Sequence, residues 1–266
     1  GIPPPRRGRL PHDSHLNTLN EEITMIESGR RNFLTATGSL GLAAATPMTG
    51  ARAQAANTIR IGVLTDMSGP FRDISGPTSV VATRTAVQDF GNRGFNVEVL
   101  VADHQNRPDV GVSLARQWID RDGVDAVVDV PSSGVALAVN SVMRERNKVY
   151  LNSTAATVEL TGGQCSPNTI HWTYDTFMLA RSTGGALVRA GGDTWFFLTA
   201  DYAFGHALER DTGNFVRAAG GRVVGGVRTP FPGTDFSGFL MQAQASRAKV
   251  IGLANAGGDT INSIKQ

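Results

Sequence analysis

Between residues 58 and 266 the apolar positions switch repeatedly between two spacings. TIRIGVL at 58–64 and FNVEVLVAD at 95–103 place apolar side chains at alternate positions or closer, as a strand with a buried face requires. Between them Val80, Ala86, Val87 and Phe90 fall near one side of a 3.6-residue spiral, which predicts a helix over 79–90. A further helix is expected over 108–123, opened by Pro108 and stopped by Gly123. DAVVDV at 125–130 is a short, mostly apolar run, the pattern of a strand covered on both faces. A helix over 134–146 and a strand over 149–153 follow.

After a loop rich in Thr and Gly the pattern starts again. TIHWTY at 169–174 crosses to a helix over 177–189, and strands at 193–199, 222–231 and 249–255 alternate with helices at 205–219 and 236–246. Successive strand–helix–strand units imply parallel sheets with right-handed crossovers and helices on both faces. The expected fold is therefore α/β, with two Rossmann-like lobes of parallel sheet flanked by helices. The first lobe should span 56–174 and the second 175–266, joined by a crossing segment near 173–175. Three strands make a poorly covered parallel sheet, and GGDTINSIKQ opens a helix with no stop signal. The second lobe is thus expected to be incomplete, its C-terminal portion lying beyond Gln266.

The upstream region reads differently. GRRNFL at 29–34 pairs two arginines before a moderately apolar, small-residue run, and Ala53-Gln54-Ala55 fits a small-x-small cleavage site. Residues 25–55 are read as a twin-arginine export signal, and 1–24 as a non-native extension upstream of Met25. The run is too short and too weakly apolar to span a bilayer. The mature protein is expected outside the cytoplasm, in the periplasm. The leader also distorts the charge. Six of the 25 basic and four of the 23 acidic residues lie in 1–55, which leaves 19 of each from Ala56 onward. A balanced body carries no electrostatic footprint for nucleic acid or an anionic membrane.

Ligands of open α/β sheets gather beyond the carboxyl ends of the strands. Here those ends carry TDMSGPFRDISGP, DHQNRP, PSSG, STAAT, DYAFG and NAGGDT, mostly hydroxyl, amide and glycine groups suited to hydrogen bonding and close backbone approach. The glycine-rich nucleotide, Walker, HExxH zinc and GxSxG hydrolase signatures do not occur. Histidines at 12, 15, 104, 171 and 206 have no ligand spacing, so no metal or cofactor is expected. The Asp103–His104 pair is the one acid–base candidate, with a polar loop residue the simpler reading of His104. Cys165 has no partner in the chain and is either a buried free thiol or paired with a cysteine beyond it. Ser132 and Ser133, between a buried strand and a helix, have two readings: a helix cap, or an anion site at a helix N-terminus.

Taken in order, DMSGPFRDISGP, VPSSGVALAV, LNSTAATVELTG, TADYAFGHAL and ANAGGDT are similar to the periplasmic substrate-binding proteins of branched-chain amino acid type ABC transporters. The resemblance covers 57–266. It implies a type I periplasmic binding protein fold that closes on a small ligand, without catalysis, and members that continue past the equivalent of Gln266. Carried over by position, it implies that Ser132, Ala155 and Thr157 hold a ligand carboxylate, with Ser133 as the cap or a neighbouring contact. It places an aromatic contact on Phe204, where a tyrosine is common in the family, and leaves Tyr202 to supply a hydroxyl. Asn255 would stand at the last strand end and Phe71 at the pocket mouth. The acid that pairs with a substrate ammonium would lie beyond this chain. The implied partners are a small carboxylate-bearing ligand (a branched-chain or other amino acid, or an aromatic or organic acid) and an inner-membrane ABC permease. No nucleic acid is implied, and the protein would be a non-spanning monomer. A periplasmic sensor domain, or less simply a secreted α/β enzyme, remains open on the residues alone.

Overall fold

The computed structural model describes residues 57–91 and 93–266. The export signal and the upstream extension read from the sequence lie outside the described residues. Strand β1 (Thr58–Thr65) is followed by α1 (Gly76–Phe90), β2 (Asn96–Asp103), α2 (Pro108–Gln117), β3 (Ala126–Asp129), α3 (Ser133–Glu145), β4 (Val149–Asn152) and β5 (Thr169–His171). These five strands form one sheet in the order β2-β1-β3-β4-β5, and every pairing is parallel. Helix α4 (Thr176–Arg189) leads to β6 (Thr194–Ala200), α5 (Ala203–Ala218), β7 (Arg222–Thr229), α6 (Ser237–Ala245), β8 (Val250–Ala254) and α7 (Gly258–Lys265). The second sheet has the order β7-β6-β8, again all parallel.

The elements stand close to where the hydrophobic pattern puts them, with one difference. The strand at 169–171 pairs with β4, Tyr150 against Thr169, and completes the first sheet. The helix expected over 108–123 changes character. Its last turn, residues 118–122, widens into a π-turn that ends at Gly123 in the left-handed region, with the Val124 N–H on the Trp118 carbonyl at 3.0 Å. The π-turn swings the Trp118 ring across β1 at Gly62, where a Cβ would stand 2.4 Å from the ring.

Each sheet has its own core. The first packs Leu64, Val127, Val135, Val139, Met143 and Tyr150 with Trp118, all buried, so α2 and α3 lie against the sheet through apolar side chains. The second is smaller and built on Trp195, Phe197, Val216 and Ala254. In each sheet the chain leaves one strand to one side and returns on the other: β1 has β2 and β3 as neighbours, and β6 has β7 and β8. At such a reversal the crossover helices diverge and a crevice opens beyond the strand ends. Two reversals give two crevices, and the residues that line them come from the loops after β1, β3, β6 and β8.

Candidate functional site

The loop after β1 is shaped by a buried acid. The Asp66 carboxylate accepts the Gly69 N–H at 2.7 Å and the Phe71 N–H at 3.0 Å, a tight turn that tucks the Phe71 ring inward, 5% exposed. Phe71 meets the second lobe there. Its ring centroid is 5.7 Å from Phe231 and 6.3 Å from Tyr202, while Tyr202 and Phe231 stack at 3.9 Å with their planes 7° apart. Phe204 stands 5.9 Å from Tyr202 and is buried. An aromatic cluster contributed by both lobes therefore forms one wall of the cleft.

The opposite wall is the end of β3. Asp129 and Val130 both adopt left-handed backbone conformations, φ 78° and 60°, which cost energy for a non-glycine residue and most of all for a β-branched one. A buried polar network holds them there. The Asp129 carboxylate accepts hydrogen bonds from the hydroxyls of Ser75, Thr154 (2.5 Å) and Ser153 (3.3 Å), and Ser75 also bonds Thr65 at 2.9 Å. This one side chain ties together the loops after β1, β3 and β4. Nothing in the sequence pattern marks Asp129 except an acid at the end of an otherwise apolar strand.

The bend at 129–130 decides the roles of the two serines. Ser132 has extended backbone (φ −77°, ψ 120°) and occupies the cap position of α3, but its side chain makes no capping hydrogen bond. Ser133 is the first helical residue, and its side chain lines the cleft. The expectation that Ser133 is the cap is therefore corrected: Ser132 holds the cap position, because the chain turns into the helix one residue earlier than the sequence suggests. With no side-chain cap, the first N–H groups of α3 remain available and the positive end of the helix dipole points into the cleft.

The STAAT loop alternates, as extended chain does. Thr154 and Ala156 line the cleft. Ala155 and Thr157 turn their side chains inward: Ala155 joins the first-lobe core, and the Thr157 hydroxyl accepts the Glu159 N–H at 3.4 Å to cap a short 3₁₀ turn. From the second lobe Phe204 and Tyr202 face the cleft together with Ala256, and Tyr174 of the crossing segment completes it. The cavity so enclosed is narrow, about 40 Å³. Two wider hollows, about 690 and 340 Å³, lie on the faces of the first and second sheets. Asn255, expected in the site, spends its amide on α7: Oδ1 accepts from Thr260 at 2.8 Å and Nδ2 donates to Ser263 at 3.3 Å.

The acid–base candidate does not form. Asp103 accepts from the Met67 and Gln105 N–H groups and the Ser68 hydroxyl, and these bonds hold its carboxyl below its usual value against the effect of burial. His104 is not a surface loop residue: it is fully buried, and its Nδ1 accepts the Asn106 N–H at 3.0 Å. Burial lowers the imidazole pKa, opposed by the charges of Asp66, Asp103 and Asp129. Cys165 is exposed, which removes the buried-thiol reading. No group of acids, histidines and cysteines able to hold a metal occurs among the described residues, and no helix among them is long and apolar enough to cross a membrane.

A pair of parallel sheets whose reversal points face one cleft is the architecture of a two-lobed binding protein. The periplasmic binding protein family model matches residues 58–266, and the chain belongs to that family. Its fold superposes on a periplasmic binding protein from Burkholderia mallei with a TM-score of 0.77 and 52% identity, over 79% of this chain and 56% of that one. A branched-chain amino acid ABC transporter periplasmic ligand-binding protein from Burkholderia xenovorans LB400 is 38% identical with a TM-score of 0.65, over 78% of this chain and 56% of that one. A solute-binding protein of an ABC transporter from R. palustris, in complex with 4-hydroxybenzoate, is 26% identical with a TM-score of 0.70, over 79% of this chain and 57% of that one. The chain spans about half the length of the curated relatives it matches, Leu/Ile/Val-binding protein homologues of Brucella melitensis among them.

Proposed function

We propose that this chain forms part of an extracytoplasmic solute-binding protein of an ABC importer, which captures a small carboxylate-bearing ligand between its lobes and delivers it to an inner-membrane permease. The observation that carries this reading is the facing pair of walls. On one side the uncapped N-terminus of α3, with Ser132 and Ser133, offers donors and a positive dipole to an anion. On the other, Tyr202, Phe204 and Phe231, met by Phe71 across the cleft, offer flat apolar surface to the body of the ligand. Ala155 and Thr157 contribute backbone rather than side chains. The family's amino-acid relatives and the R. palustris 4-hydroxybenzoate complex support a carboxylate ligand of either the amino-acid or the aromatic-acid class. The protein works as a monomer in the periplasm, reached by the twin-arginine route.

The test is a thermal-stability screen of the purified protein against amino acids, benzoate-like acids and aliphatic dicarboxylates. One class should raise the melting temperature saturably. Ser132→Ala and Ser133→Ala, each of which removes a hydroxyl donor from the start of α3, should each reduce that shift. No shift with any carboxylate would sink the reading.

A further inference from the structure

Asp129 is 1% exposed and borders the hollow on the face of the first sheet rather than the cleft. A ligand held between the lobes therefore does not touch it. Yet Asp129 stands only three residues before Ser132 in the chain, where its own negative charge works against the binding of an anion at the start of α3. An acid in that place calls for a role that outweighs the repulsion.

The role lies in the backbone. Asp129 and Val130 are both left-handed, φ 78° and 60°, and a β-branched residue such as Val130 resists that conformation strongly. Aspartate is one of the few non-glycine residues that enter this region readily, because its short polar side chain can bond locally. Here the carboxylate accepts from Ser75 on the loop after β1, and from Ser153 and Thr154 on the loop after β4. The main chain is fastened as well: the Val130 N–H donates to the Leu64 carbonyl at 2.9 Å, and the buried Tyr150 hydroxyl lies 3.4 Å from the Asp129 carbonyl. Directly past the turn, Pro131 and Ser133 line the cleft and α3 begins. Relaxation of the turn to extended backbone would take the start of α3 out of the cleft wall.

We propose that Asp129 is a positioning residue for the ligand: by locking the left-handed turn at 129–130 it aims the first N–H groups of α3 at the ligand carboxylate. It thereby sets the preference for a carboxylate over a neutral group of the same shape. This inference rests on the reading of the cleft as a carboxylate-binding site, and adds to it a cause for the helix's direction that lies outside the cleft. The pull of a helix terminus on an anion fades within its first turn. A small error of aim therefore costs recognition of the anion before it costs the apolar contacts of the aromatic wall.

Dissociation constants would be measured by calorimetry for two pairs, benzoate against benzamide and leucine against leucinamide, each an acid beside its neutral amide. The native protein should prefer the acid of the pair it binds. Asp129→Ala removes the hydrogen bonds and the tolerance for left-handed backbone together. The preference should then fall by on the order of tenfold, through weaker binding of the acid with the amide nearly unaffected. Asp129→Gly loses the same hydrogen bonds but adopts the turn freely, and should keep most of what the Ala variant loses. Asp129→Asn keeps an acceptor oxygen and enters the left-handed region readily, so it should stay close to the native preference. Ser75→Ala removes one donor from the carboxylate and should lower the preference severalfold; it decides the matter if Asp129→Ala does not fold. A preference intact in the deciding variant, lost equally in the Ala and Gly variants, or lost in the Asn variant would overturn the role of Asp129 while leaving the carboxylate site standing. Binding of neither acid, or no preference for an acid in the native protein, would overturn both.

Discussion

At the scale of single residues, the described body hides more polar chemistry than a binding cleft alone requires. Asp66 and Asp129 are buried acids that organise loops by accepting from N–H and hydroxyl groups rather than by pairing with cations. His104 is a different case, a buried imidazole held neutral, with Asp66, Asp103 and Asp129 the charges that face it. Its folded pKa lies below the ordinary 6.5, so the unfolded chain binds the proton first as pH falls. Stability from this residue is complete above that ordinary value and is lost as pH drops through it toward the folded pKa. The melting temperature is expected to decline from pH 7.5 to pH 5. His104→Asn, whose carbonyl oxygen can replace Nδ1 as acceptor for Asn106, should flatten part of that decline. A profile with the same slope in both proteins would show that His104 does not titrate with folding.

At the scale of elements, the start of α5 shows why the DYAFG motif ends in glycine. Gly205 sits where a Cβ would stand 2.1 Å from the Ala200 carbonyl oxygen and 2.9 Å from that of Ala254, so the helix rests directly on the ends of β6 and β8. Both obstacles are backbone and cannot rotate aside. Gly205→Ala should therefore destabilise the protein by about 1–3 kcal/mol, the usual cost of overpacking, despite alanine's better helix propensity. Urea unfolding monitored by circular dichroism checks this, and an unchanged midpoint would mean that the helix can lift off the sheet at no cost. The same contact matters for the cleft, because a lifted α5 would carry Tyr202 and Phe204 with it.

At the scale of the whole molecule, the two lobes touch through a small number of identifiable contacts. Arg210 of α5 reaches Glu159 of the first lobe at 2.8 Å, and the Thr176 hydroxyl at the start of α4 accepts the Val158 N–H of the first lobe at 3.2 Å. Phe71 adds the aromatic contact across the cleft. Ion pairs at the surface contribute little, so the aromatic contact is the one expected to hold the lobes together on a ligand. Phe71→Ala removes two ring pairs, each worth about 0.5–1.5 kcal/mol, and should speed ligand release by on the order of tenfold in stopped-flow measurements. A release rate equal to the native one would place Phe71 outside the ligand-bound contact.

Much of this architecture could be read from the sequence. Among the described residues, hydrophobic spacing placed the α-helices and strands within a few residues, because burial on one or two faces is imposed locally and repeats with the period of the element. The order of those elements fixed parallel sheets in two lobes, and the strand-end motifs brought Ser132, Ser133, Tyr202, Phe204 and Phe71 to the right end of each sheet. What the pattern could not reveal depended on partners distant in the chain. Ser132 rather than Ser133 takes the cap position because Asp129 and Val130 turn left-handed, and a network from three separate loops holds that turn. Thr154 and Ala156 face the cleft while Ala155 and Thr157 face inward, a parity set by where the loop enters the core. His104 is buried by helices that its own neighbours in sequence do not predict, and Asp259 is buried beside Gly233, 26 residues away. The sequence by itself determined the elements, their order and the ends at which a ligand site must lie, since these follow from local periodicity and chain connectivity. The choice of which side chains face the cleft was left to the tertiary structure, because a residue's direction and solvation depend on contacts that exist only once distant segments have packed together.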